Sequence, residues 1–178
     1  MACMVLKPQD VLVAIKLVPH MHNGGRPPFA AIAADLKMAA SEVHAAVRRC
    51  QIAHVLGPSE LGDSPNIPAL EEFLIHGVKY AFPAERGEPT RGVLTGYAAP
   101  PLVNLITAGD ELPPVWPYPE GTAKGVSFEP LYKSVPFAAL RDPFLYECLA
   151  LVDALRDGRV REKKLAEKEL RSRLRQRG

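Results

Sequence analysis

The chain has 178 residues, room for one compact domain or one small module with an extension, which excludes large multidomain enzymes. Hydrophobic residues make up 47% and charged residues 24%, near the average for soluble globular proteins, so global disorder and collagen-like repetition are excluded too. The net charge of +2 hides an asymmetry: residues 156–178 hold ten Lys and Arg against four Asp and Glu, a surplus of +6, while residues 1–155 carry −4. A basic C-terminal end of this kind suits either an anionic partner or a solvated helix whose pairs Glu167/Arg171 and Glu169/Arg173 keep it soluble.

No apolar run approaches the roughly 18 residues of a membrane span, and Met1–Lys7 lacks the basic-then-apolar order of a secretory signal, so a cytoplasmic protein without membrane contact is expected. Cys3, Cys50 and Cys148 are widely spaced and form no CxxC pair, which predicts reduced thiols and neither a disulfide framework nor a cysteine zinc site.

Pro8 suits the first turn of a helix reaching Leu17, with Val11, Ile15 and Val18 at helical spacing. Pro19–Pro28 gathers two Gly, three Pro and an Asn and predicts a loop. A short helix fits Phe29–Leu36, and a third fits Ser41–His54 with Val43, Val47 and Cys50 inward. Val55-Leu56 and Asn66-Ile67, separated by the turn Gly57–Ser64, predict a small β-hairpin. A fourth helix starts near Pro68, with Leu70, Phe73, Leu74, Gly77 and Ala81 on one stripe, and stops at Pro83.

Eleven of the eighteen prolines lie from Pro83 to Pro143, and Pro113–Pro119 argues against both helix interior and central strand. This segment is expected to be irregular chain draped over the helices, with one short strand at Val126–Phe128. Asp142-Pro143 forms an N-cap and first-turn pair for a helix presenting Phe144, Leu145, Cys148, Leu149, Val152 and Leu155, which Gly158 interrupts before a narrow-striped helix over Val160–Arg175. The division predicted is 1–82, 83–141 and 142–178. The fold class is mainly α with a small β-hairpin, an irregular Pro-rich segment and C-terminal helices.

Helix, short helix, tight turn, helix and hairpin is the order of a winged helix-turn-helix. The stretch Phe29–Cys50, FAAIAADLKMAASEVHAAVRRC, resembles the "LA..LG.S...V...V.RL" pattern of bacterial winged-helix regulators such as the MarR family. Ile32, Ala33 and Leu36 match its second helix, and Val43 and Val47 its recognition helix. The likeness covers about Lys7–Ile67. It implies a sequence-specific DNA-binding transcriptional regulator, most simply a repressor, that binds duplex DNA as a homodimer, with the helix Asp142–Arg156 and the basic helix after it as the expected dimer elements.

With Val43, Val47 and Cys50 inward, Ser41, His44, Ala45, Arg48 and Arg49 project outward or flank the seam. Arg48 is the candidate for bidentate contact with guanine, Ser41 and His44 for base edges or phosphates, and Ala45 leaves room for close approach. Arg49 and Lys37 are candidate phosphate contacts. Ala39 stands where a Ser or Thr cap is usual, so Ser41 with His44 is expected to start this helix a turn later. The expected wing holds Glu60 and Asp63 and no Lys or Arg, so either it stands clear of the backbone or Arg26 and the basic C-terminal helix supply the attraction.

No enzyme is expected: there is no GxSxG, P-loop or GxGxxG, and no nucleophile has an identifiable base. His20-Met-His22 reads as a solvated loop and not a metal site, Glu71-Glu72 and Glu85 as solvated charges, and no cofactor is implied. Segments 76–83 and 90–101 read as a structural seam, with Gly77 admitting another backbone and Arg91 a structural hydrogen-bonder. The alternative to a DNA-binding regulator is a protein-interaction module, an antitoxin or adaptor, whose acidic wing and C-terminal helices bind a protein partner.

Overall fold

In the computed structural model, which describes residues 4–21, 23, 25–57 and 63–176, Pro8 sits in the first turn of α1 (Pro8–Leu17). The Lys7 backbone N–H donates to Asp10 Oδ2 at 2.8 Å, so the helix's first turn closes on its own side chain. Leu12, Val13 and Ile15 are fully buried along with Val11, Ala14 and Leu17, because α1 is surrounded instead of lying on one face of the core.

Two further helices pack on it, α2 (Phe29–Leu36) and α3 (Ala40–Ile52). Lys37 takes a left-handed conformation (φ 51°) and ends α2. Ala40 is already helical, with Ala39 at the N-cap offering no side chain, so Ser41 is not the cap its hydroxyl suggests. The hairpin is β1 (Leu56–Gly57) with β2 (Ser64–Pro65), antiparallel, Leu56 opposite Pro65. Asn66-Ile67 is not its returning strand, since Asn66 Oδ1 accepts from Ala69 N and caps the next helix. The tip, residues 58–62 with Glu60, lies outside the described residues, as does His22.

The next helix runs as α4 (Ile67–Glu72), a π-helical turn (Phe73–Gly77) and α5 (Val78–Ala81). The wider turn moves later side chains around the axis, so Ile75 and Val78 are buried while Ala81, assigned to the stripe by α-helical spacing, is exposed. Gly77 admits no foreign backbone. A Cβ there would lie 2.8 Å from Phe73 of the preceding turn.

The Pro-rich segment departs most from expectation. It forms a closed three-stranded sheet of β3 (Arg86–Leu94), β4 (Pro114–Pro117) and β5 (Ala123–Phe128), with β3 antiparallel to both others and β4 parallel to β5. Prolines enter it because acceptors suffice at their positions: Thr95 N donates to Pro114 O at 3.0 Å and Val126 N to Pro113 O at 2.8 Å. So small a closure needs bare backbone, and a methyl at Gly92 would collide with the Trp116 carbonyl, one at Gly125 with the Pro113 carbonyl. Arg91, in β3 opposite Lys124, is exposed and makes no side-chain hydrogen bond among the described residues.

After α6 (Val135–Ala139), Asp142 caps α7 (Pro143–Asp157) by accepting from Leu145 N at 3.0 Å. Residues 148–156 of α7 are buried on every side. Two of them are charged: Asp153 accepts from Trp116 Nε1 (2.6 Å), Thr95 Oγ1 (2.7 Å) and Arg156 Nη1 (2.8 Å), while Arg156 also donates to the Phe82, Pro83 and Glu129 carbonyls. This satisfied network fastens the sheet to α7.

The last helix, α8 (Val160–Arg175), spends Ala166, Leu170 and Leu174 on α7 and α4. Glu71 is not a solvated charge: only 3% exposed, it lies under Arg171 (3.0 Å) and Arg175 (2.5 Å). One core cluster runs from Val11 to Leu174, and the molecule is mainly helical with small sheets. No helix is long and apolar enough to cross a membrane.

Candidate nucleic-acid interface

The outward face of α3 is set by what it buries. Val43, Ala46, Val47 and Cys50 turn to the core, so Ser41, His44 and Arg48, at i, i+3 and i+7, are exposed on one stripe with Ala45 half-buried beside them. Arg48 makes no ion pair among the described residues. The stripe therefore presents a hydroxyl, an imidazole and a guanidinium side by side, a set that donates to base edges and to phosphate oxygens.

Arg49 belongs elsewhere. Its guanidinium is buried against Asp10, with Glu42 as a second partner at 2.7 Å, so it is not available to a phosphate. The residue lies on the flank of the helix where one step of rotation decides between seam and solvent, and a carboxylate inside the seam draws it in. Glu42, held by Gln9 and by Arg49, has its carboxyl pulled below the usual glutamate range, and adds no unpaired negative charge to the face.

Arg26 and Lys37 bracket α2. The Arg26 guanidinium lies 3.9 Å from the centre of the Phe29 ring, and that ring meets His44 edge-on at 5.3 Å, so a cation, an aromatic and an imidazole join the start of α2 to the first turns of α3. Arg26 also lies 3.5 Å from Asp63, which accepts from Gln51 as well. Asp63 of the β1–β2 hairpin is thus offset by the protein's own cation, and Arg26 is partly committed. Lys37 is exposed, with its ammonium 4.8 Å from the centre of the Phe137 ring.

Sequence reasoning missed Phe29 as a positioning side chain, and missed Phe137 and Arg141. Arg26-Pro-Pro-Phe29 carries a local cue, a cation three residues before an aromatic at a helix start. Nothing local connects Lys37 to residues a hundred positions later, because α6 reaches α2 only through the tertiary fold.

Cys50 is buried, and desolvation pushes its thiol up to about 12, while burial likewise raises Cys148; neither is a reactive thiolate. At the far end of the chain Arg171, Arg173 and Arg175 are spent on Glu71, Glu147, Glu167 and Glu169. Arg161, Lys164 and Lys168 remain as exposed cations on α8 without an ion pair among the described residues. Comparison with protein-family models, with curated proteins and with solved structures finds no match to this chain.

Proposed function

We propose that the chain is a sequence-specific, duplex-DNA-binding transcriptional regulator of bacterial type, a repressor in its simplest form, with a winged helix-turn-helix in which α3 enters the major groove. The observation that carries this reading is the face of α3: Ser41, His44 and Arg48 stand exposed in one row, with Arg26 and Lys37 at the two ends of α2 beside it, and Asp35, Glu42 and Asp63 are each engaged by a neighbour. In this reading the protein works in the cytoplasm as a two-fold dimer, because paired recognition helices about 34 Å apart read successive grooves. In this reading α7 and α8 supply the dimer contacts through faces other than the apolar stripe of α8, which its own chain occupies.

A second reading, a protein-interaction module such as an antitoxin or adaptor, is favoured by Val103, Leu105, Leu112 and Val160, each 45% exposed or more. One experiment separates the two. Purified protein is used at stated salt to select bound sequences from random duplex DNA. Enrichment of a sequence, with affinity that falls as salt rises, supports the regulator. Absence of any salt-dependent binding to duplex DNA sinks it and leaves the adaptor.

A further inference from the structure

Lys37 is one of two residues other than glycine, among those described, with positive φ. Glycine or asparagine is the ordinary choice for such a helix-ending turn, so a lysine there keeps its side chain at a conformational cost. That side chain reaches Phe137, where the ammonium lies 4.8 Å from the ring centre. The Arg141 guanidinium lies 3.7 Å from the centre of the same ring, and its Nη1 donates to the Phe137 carbonyl at 3.0 Å. Two long cationic side chains from distant parts of the chain are thus held on one half-buried aromatic, both exposed and neither ion-paired among the described residues.

The nearby carboxylates do not neutralise them. Asp35 and Asp142 both bind Lys16, at 3.0 and 2.9 Å, and Lys16 is 12% exposed. Lys16 and Arg141 balance Asp35 and Asp142 in the lining of a cleft of about 250 Å³, and Lys37, on the same Phe137 ring, adds one positive charge beside it. Lys37 ends α2 two residues before Ala39, the N-cap of α3, so the cations stand at the entry to the helix whose outer face carries Ser41, His44 and Arg48. Because the ring already restrains both side chains, less conformational freedom remains to be lost when they meet an anion.

We propose that Lys37 and Arg141, held on Phe137, clamp a DNA backbone phosphate outside the base-reading helix, which makes α6 part of the DNA-binding surface. The proposal rests on the DNA reading above. It explains why a lysine occupies a backbone position better suited to glycine, and why Arg141 lies on the ring and not on Asp142, its neighbour in sequence.

The test is binding of the full chain to a short random-sequence duplex across a series of salt concentrations. Lys37→Gln and Arg141→Gln should each flatten log K against log[salt], and the double variant, which frees the one clamped phosphate, by about 0.9. Lys37→Gly should flatten the slope equally while raising the thermal midpoint, a combination that lost folding cannot produce. Wild-type slopes in both single variants, while Arg48→Ala weakens binding, overturn the clamp and leave the DNA reading standing. Lowered midpoints with an unchanged slope overturn it as well, by making the stack structural. A wild-type protein without salt-dependent duplex binding overturns both.

Discussion

Arg49 donates to both carboxylate oxygens of Asp10, from Nε at 2.8 Å and from Nη2 at 2.7 Å, so the last turn of α3 is fastened to the first turn of α1. Asp10 is 1% exposed and also accepts from the Lys7 backbone, so it stays a buried carboxylate without a counter-charge if the guanidinium is removed. Arg49→Ala should therefore cost about 3–5 kcal/mol of folding stability, read as a lower urea midpoint, because a buried carboxylate is left uncompensated. Arg49→Lys should recover only part of that, since an ammonium does not match the two-pronged geometry. The folded fraction of either variant should keep the wild-type salt slope on DNA. A lost slope would return Arg49 to the interface.

Arg48, one residue away, should behave in the opposite way. Its side chain is exposed, so Arg48→Ala should change stability by no more than about 0.5 kcal/mol. On DNA the same substitution should cost about 1–3 kcal/mol and relax base preference at one position of each half-site. Sequence selection repeated with the variant measures both effects. An unchanged preference would mean that α3 does not read bases through this residue.

The contrast between these neighbours shows what a sequence makes legible. Helix positions followed from apolar spacing, and α1, α2, α3, α7 and α8 lie within a residue or two of expectation because caps and stripes are local signals. The outward placing of Ser41, His44 and Arg48 followed from the same spacing. Arg49 did not, since its position depends on which residue of another helix faces it, and Asp10 lies across a tertiary contact. The closed sheet was illegible for a related reason: proline argues against a strand only where an N–H is needed, and the pairing partners decide that. Ala81 falls on the predicted stripe yet is exposed, and Ile75 and Val78 fall off it yet are buried, because a π turn breaks the 3.6-residue period on which the stripe is drawn. Phe137 and Arg141 left no trace near Lys37 at all.

Asp153 and Arg156 form the second buried charge pair, and the chain's single tryptophan reports on it. Trp116 is 1% exposed and donates its indole N–H to Asp153 at 2.6 Å. Arg156→Met should cost about 3–5 kcal/mol, because Asp153 keeps two neutral donors but loses its counter-charge, and the Phe82 and Glu129 carbonyls lose a donor. In Asp153→Ala the indole N–H loses its acceptor, so the Trp116 emission should shift even in the folded protein. An emission spectrum identical to wild type, with unchanged stability, would show that the network is not what fastens α7 to the sheet.

The contact of Glu71 with α8 makes a pH-dependent prediction. The Arg175 guanidinium bonded to Glu71, aided by Arg171, holds its carboxyl below the usual glutamate range against the opposing push of burial. The folded value is then lower than the unfolded one, and between the two the unfolded chain binds a proton that the folded chain does not. Glu71 accordingly contributes stability that is fully present above the ordinary glutamate value of about 4.3 and is lost as pH falls through the folded value. Glu71→Gln should lower the urea midpoint at neutral pH, with the gap to wild type narrowing once the pH drops below that ordinary value. Removal of residues 159–178 should do more than remove charge, since it uncovers the surfaces of α7 and α4 that Ala166, Leu170 and Leu174 protect. Lys164→Gln with Lys168→Gln is the cleaner electrostatic probe, because both side chains are exposed and neither is ion-paired among the described residues. A Glu71→Gln gap that stays constant from neutral to acid pH would show that this carboxylate is not coupled to the docking of α8, and Arg171 and Arg175 beside it would then be surface charges.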